Sequence, residues 1–321
     1  MPLSTDETVN KTAGDIVAQL QAVFGKHPGF RPAHAKGEIL SGTFTPSAEA
    51  KKLSTAPHFA NLATPIWARF SNSTGIPNIP DADPNANPRG IGIRFHLGAH
   101  KHTDIIAHST PFFPTRTGED FLAFFQAIAA SPPGGPSPSP GGPSPSPVEH
   151  FLSSHPKALA FVQAPKPAPV SYGREQYFGV NAFKLVAADG KETYIRYRIV
   201  PDAGVEALDN DLLKDQDPDY LQKELSKRVA EGPIGFKILA QVAGDGDVTD
   251  DCTVHWREDR PVVELGSFIL DALVKDYEKE VKYMILDPIP RIEGIEASAD
   301  PILEMRAAVY LISGRERRAA P

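Results

Sequence analysis

In "GIEASADPILEMRAAVYLISGRERR", residues 294 to 318, an arginine and a tyrosine stand four apart, Arg306 and Tyr310. On a helix that spacing is about one turn, so both side chains share a face. A tyrosine serves a metal ion as phenolate. A guanidinium about 4 Å away favours a phenolate by roughly 4 kcal/mol at an effective dielectric near 20. The pair therefore suits an anionic oxygen ligand held by a fixed cation. An amphipathic helix with an ordinary surface arginine and a half-buried tyrosine would show the same spacing. The second reactive group is an imidazole. In "FRPAHAKGEI", residues 30 to 39, His34 lies three residues after Arg31 and just before a Lys-Gly pair, at the mouth of an expected strand. A histidine placed there is a candidate acid–base near neutral pH.

Other reactive types are weaker candidates. His96, His100 and His102 in "FHLGAHKHTD" could mimic a zinc site, but acidic ligands nearby are few and the spacing fits a polar loop. His150 and His155 read as solvent-facing or helix-capping. "GIGIR", residues 90 to 94, lacks the spacing of a dinucleotide-binding loop and reads as a glycine-rich strand inside a barrel. Trp256 gives no warrant for a bound nicotinamide cofactor.

The elements that must position these groups follow from periodicity. "GDIVAQLQAVFG" (14 to 25) carries one apolar stripe and reads as a helix, the core of an N-terminal helical stretch over residues 1–26. Eight runs read as short strands: "GEILSGTFT", "IWARFSN", "GIGIRFHL", "TDIIAHS", "NAFKLVAA", "TYIRYRIV", "GFKILAQVA" and "VELGSFIL". The fifth and sixth are joined by "DGKE", which suits a tight hairpin turn. These predict an α+β chain: an eight-stranded antiparallel β-barrel with surrounding helices. Helical patterns recur in "VEHFLSSHPKALAFVQ" and "PDYLQKELSKRVAEG". The C-terminal helix should open at Asp300 as N-cap, with Pro301 first and Gly314 as its stop. Between them, residues 131–147 hold GGPSPSP twice in tandem, a composition that builds no core and reads as an exposed, mobile insertion. Strand patterns continue on both sides of it, so residues 1–321 are expected to form a single domain.

Composition narrows the function. The 321 residues carry 33 basic against 40 acidic side chains, a net charge of −7, and "RERR" at 315 to 318 is the one dense basic run. Nucleic-acid binding is disfavoured. No stretch of eighteen apolar residues occurs and the first thirty residues lack a signal-peptide pattern, so the expectation is a chain with no membrane partner. One cysteine, Cys252, rules out an internal disulfide framework and fits a reducing, cytoplasmic setting.

Three separated stretches together resemble the haem catalases. "RPAHAKG" resembles their distal-histidine motif, "ARFSNSTG" their next strand, and "GIEASADPILEMRAAVY" their proximal helix with its R-x-x-x-Y ligand motif. Further similarity in "DIIAHSTPFFPTRTGEDF", "NAFKLVAADG" and "DCTVHWREDRPVVELGSFIL" extends the resemblance over roughly residues 27 to 318. The chain looks like the small catalase-related peroxidases, without the long arm and extension of typical catalases.

The resemblance implies haem b (iron protoporphyrin IX) as cofactor. It implies Tyr310 as the iron ligand, Arg306 as the cation that keeps it phenolate, His34 as the distal base and Ser71 as its hydrogen-bonding partner. Arg31, Arg69 and Arg317 would clamp the haem propionates, and Phe113 and Phe121 would wall the cavity. His34, with an ordinary imidazole pKa, would shuttle a peroxide proton. His108 stands where catalases carry a distal asparagine; its N–H could still donate to peroxide, or the ring could be a satisfied core histidine. This pattern suggests a haem peroxidase reducing hydrogen peroxide or organic hydroperoxides and oxidising small organic electron donors, with weak catalase turnover. A homodimer is compatible with the sequence. Rearrangement of fatty-acid hydroperoxides, a haem carrier without turnover and a barrel without haem remain open alternatives.

Overall fold

Period-two alternation commits one face of each strand to a core and leaves the other for different work. Ile66, Ala68 and Phe70 alternate with Trp67, Arg69 and Ser71, and Ile91, Ile93 and Phe95 with Gly90, Gly92 and Arg94; the apolar member of each pair enters the main hydrophobic core. The computed structural model describes residues 2–131 and 145–321. Its strands are β1 (Gly37–Pro46), β2 (Thr64–Ser71), β3 (Gly90–Gly98), β4 (Lys101–His108), β5 (Tyr177–Phe178), β6 (Phe183–Val186), β7 (Glu192–Pro201), β8 (Ile234–Val242), β9 (Val262–Leu273) and β10 (Ile295–Ala297). Their order is β10-β6-β7-β5-β4-β3-β2-β1-β9-β8, and β8 pairs back onto β7. This closes an eight-stranded antiparallel barrel, as the sequence predicted.

All eight predicted runs are strands, but the ring contains a member the pattern did not show. β5 and β6 lie on the same edge of β7, and Phe178 faces Arg198 while Phe183 faces Ile195. Five steps on one side thus match three on the other. The two surplus residues bulge from the ladder, which makes β5 too short to read from alternation. Asn181 sits in that bulge. The β6–β7 hairpin turns where expected, with Gly190 at φ 82°.

Around the barrel run α1 (Glu7–Phe24), α2 (Ala48–Leu53), α3 (Pro57–Ala60), α4 (Gly118–Ala130), α5 (Pro147–Ser154), α6 (Pro156–Gln163), α7 (Asn210–Leu213), α8 (Tyr220–Glu231), α9 (Tyr277–Tyr283) and α10 (Pro301–Ala319). α1 begins at Glu7, inside the predicted stretch over residues 1–26, where the Asp6 carboxylate accepts from Thr8 N at 2.7 Å and supplies a cap. The predicted single helix around residue 155 is two helices: Pro156 excludes helical backbone at His155, which takes φ −125° and ψ 75°. The repeat segment lies almost wholly outside the described residues.

α10 opens as predicted, with Asp300 Oδ1 accepting from Ile302 N at 3.1 Å and Pro301 first. Gly314 is not its stop: the helix runs on to Ala319. A Cβ at Gly314 would lie 2.3 Å from Ile285 Cδ1, so the glycine admits a neighbouring side chain and ends nothing. α1 packs on α4 and α10, and Ile16, Leu20, Ile302 and Met305 form a second core outside the barrel.

Candidate active site

The strand wall of the site is set by register. Ser71 faces Gly90, which faces His108; Arg69 faces Gly92, which faces Ile106. Both rows lie on the outer face of β2, β3 and β4. The central glycines leave a trough. A Cβ at Gly90 would stand 2.9 Å from Ser71 Oγ and 3.0 Å from the His34 ring, and one at Gly92 would stand 2.4 Å from Leu286 Cδ1.

His34 lies in that trough with Nδ1 3.0 Å from Ser71 Oγ. Burial, then Arg69, Arg31 and Arg306, push its pKa down to about 3. The ordinary imidazole value expected from sequence is therefore not retained, and the ring is neutral at pH 7. His108 is pushed down to about 3 as well, by burial first and then Arg306, His34 and Lys166. Its Nδ1 accepts from Thr110 N at 3.2 Å, which places the ring proton on Nε2. Nε2 has no partner among the described residues. His108 is thus not fully paired within the barrel wall, and it presents a donor.

The helix wall is set by one stripe. Arg306, Tyr310, Ser313 and Arg317 follow at intervals of four, three and four, and all line the same cavity. Arg306 donates to the Tyr310 hydroxyl from Nε at 3.2 Å and Nη2 at 3.1 Å. Its Nη1 donates to Asn181 Oδ1 at 2.5 Å, and Asn181 Nδ2 donates to Asp300 Oδ2 at 2.9 Å. Burial raises the pKa of the Asp300 carboxyl, and the bond from Asn181 opposes the rise. A carboxylate, an amide and a guanidinium thus fix the phenol oxygen in sequence, which an ordinary surface arginine would not do.

Between the walls is a cavity of about 1280 Å³, its open mouth included, and each of the ten residues singled out by the sequence lines it. Phe113 and Phe121 stack with centroids 5.6 Å apart. Arg31 donates to Val281 O and Met284 O, Arg317 to Lys282 O and Met284 O, and Arg69 to His34 O and Ala35 O. These partners are all backbone carbonyls. Burial, Arg69 and Arg317 hold Arg31 well below the usual guanidinium range, and burial with Arg69 and Arg318 brings Arg317 to about 10. Arg69 Nε, buried, has no partner among the described residues. Three guanidiniums held by carbonyls, two of them destabilised by their neighbours, make a site for an anionic group.

Sequence reasoning missed Gly90, Gly92 and Asn181. The glycines had a legible signal, since a G-x-G in a strand puts both on one face. Asn181 had none, because only the bulge aims it at Arg306. His96 faces His102 across the β3–β4 pair, and its ring lies 5.1 Å from Trp67. Among the described residues no three potential ligands gather to hold a metal ion. His150 is exposed, and His155 stacks on Phe151 with centroids 3.8 Å apart. No described helix is long and apolar enough to cross a membrane.

Comparison with known proteins places this arrangement. The family model described as catalase matches residues 26–320. A catalase-related peroxidase of Mycolicibacterium paratuberculosis is 32% identical over 309 residues, covering 95% of each chain. A second, from Synechococcus elongatus, is 30% identical over 309 residues, covering 95% of this chain and 88% of its own. A solved fungal catalase superposes with TM-score 0.78 at 22% identity, over 91% of this chain. The chain spans only 60% of that catalase, so this likeness speaks for the fold alone. With a family match over nearly its whole length and two relatives at 30% identity or more, the chain belongs to the catalase family.

Proposed function

We propose that the cavity binds haem b and that the chain is a peroxidase, reducing hydrogen peroxide or organic hydroperoxides while oxidising small organic donors, with weak catalase turnover. The observation that carries this reading is one cavity with two unlike walls: the Arg306–Tyr310 fork on the helix, and neutral His34 with Ser71 on the strands. Residues 1–321 would work as one haem domain. The donor set fits the group: Tyr310 would be the iron ligand with Arg306 keeping it phenolate, Arg31, Arg69 and Arg317 would hold the propionates, and Phe113 with Phe121 would form apolar walls.

When bound, haem supplies the redox chemistry of peroxide cleavage. The protein supplies the proton handling. With its proton on Nδ1 and directed to Ser71, His34 can accept the peroxide proton at Nε2 and return it to the departing oxygen. His108, whose ring proton the Thr110 contact leaves on Nε2, would donate a hydrogen bond to peroxide and would not compete as base. The aromatic and aliphatic part of the lining lowers the local dielectric, which would strengthen both interactions.

The test compares oxygen release with oxidation of a phenolic dye by the haem-loaded chain. Dye oxidation should dominate, and His108→Asn should raise oxygen release. Oxygen release that dominates in the unaltered chain would overturn the peroxidase assignment.

A further inference from the structure

His34 carries a conformation that needs holding. Its φ is 58°, in the left-handed region that residues with a Cβ seldom adopt. Two backbone bonds secure it: His34 N donates to Ser73 O at 3.0 Å, and His34 O accepts from Arg69 Nη2 at 3.0 Å. The same Nη2 donates to Ala35 O at 3.2 Å. Next to it, Ala35 N donates to Thr74 O at 2.9 Å.

Arg69 itself is 3% exposed and lines the cavity, and its Nε has no partner among the described residues. One guanidinium therefore has two contacts: one nitrogen serves the backbone of residues 34 and 35, while the side chain as a whole lines the cavity. Gly37 lies beside it: a Cβ there would stand 2.1 Å from Phe70 O and 3.0 Å from Arg69 Nη2. Arg31 and Arg317 differ, because their carbonyl partners lie in the segment around α9.

We infer that Arg69 is a positioning residue for His34, clamping the strained backbone through its carbonyl, so that the anion-binding corner of the cavity and the placement of the distal imidazole are mechanically one unit. The anion half of this rests on the haem reading; the backbone half stands without it. A lysine keeps the charge, but its tetrahedral ammonium on a flexible stem does not reproduce the fixed, planar Nη2 that serves both carbonyls.

The full chain without haem is compared by amide hydrogen exchange as wild type, Arg69→Lys, Arg69→Gln and Arg317→Lys. Both Arg69 variants should speed exchange at the His34 and Ala35 amides by about tenfold, the scale of one lost charge-assisted hydrogen bond. Arg317→Lys should leave those amides unchanged. In a His34→Gly background, where glycine takes the left-handed backbone freely, Arg69→Lys should no longer matter at position 34. With haem loaded, Arg69→Lys should slow cyanide binding to the ferric protein, a step assisted by the distal base, about tenfold beyond Arg317→Lys at matched haem occupancy. Should Arg69→Gln fail to fold, the lysine variant carries the comparison. Unchanged exchange in Arg69→Lys, or an equal change in Arg317→Lys, overturns the inference. A chain that takes up no haem would sink the proposed function and leave the exchange comparison still decisive.

Discussion

The two walls of the cavity are built by opposite rules. The helix wall comes from one run, α10, whose residues 306, 310, 313 and 317 share a stripe because a helix repeats every 3.6 residues. The strand wall takes Ser71, Gly90 and His108 from three different strands and His34 from the loop before β1, and only their register makes them neighbours. The helix wall is a charged relay from Asp300 through Asn181 and Arg306 to Tyr310. The strand wall presents a pair of neutral imidazoles, with the Arg69 guanidinium in the next row. A local period writes one wall into a short motif, while the other exists only after the barrel closes. In the proposed reading, damage to the strand wall should alter reaction with peroxide, and damage to the helix wall should alter how the cofactor is held.

The sharpest way to break that division is Gly90→Ala. Its methyl would stand 2.9 Å from Ser71 Oγ and 3.0 Å from the His34 ring. Overpacking of this kind costs about 1–3 kcal/mol, so peroxide reaction of the loaded chain should slow by about ten- to a hundredfold. Haem affinity should stay close to that of the wild type. A stopped-flow rate unchanged by Gly90→Ala would show that the trough does not seat His34.

On the other wall, Asn181→Ala removes the link between Asp300 and Arg306 and leaves the guanidinium free to turn. Partners of this rank are typically worth about ten- to a hundredfold, and about tenfold weaker haem binding is expected, with a shifted absorption spectrum. A variant that binds haem normally and loses only peroxide reactivity would reverse the assignment of the two walls.

The smallest effect concerns pH and the haem-free chain. His34, His108 and the barrel-core His58 are each lowered to about 3 in the folded protein, the first cause being burial in every case. The unfolded chain holds these protons up to about 6.5, so it binds more protons across that window. Folded stability should therefore fall as pH drops from about 6.5 towards about 3. His108→Asn should flatten the slope of urea midpoints against pH; an equal slope would mean that His108 is already charged in the folded state.

How legible was this site? The Arg306–Tyr310 pair and the Asp300 cap could be read because their geometry is a count along one helix; Arg317 came only from the family resemblance, since the helix was expected to stop at Gly314. The eight strands were readable from alternation, and the barrel followed. β5 was not, since two residues cannot display a period, and with it went Asn181, which depends on the bulge. Gly314 misled because glycine marks helix ends and close contacts alike; only Ile285 against it tells which. The lowered pKa of His34 was hidden for the same kind of reason: it reflects burial first, and then Arg69, Arg31 and Arg306, which only the fold brings together.

The absorption spectrum of the chain expressed with ample haem, wild type beside Tyr310→Phe, tests the central claim most directly. A high-spin ferric spectrum of phenolate type that Tyr310→Phe weakens or abolishes is the expected result. A colourless protein, or a spectrum indifferent to the loss of that hydroxyl, would contradict it.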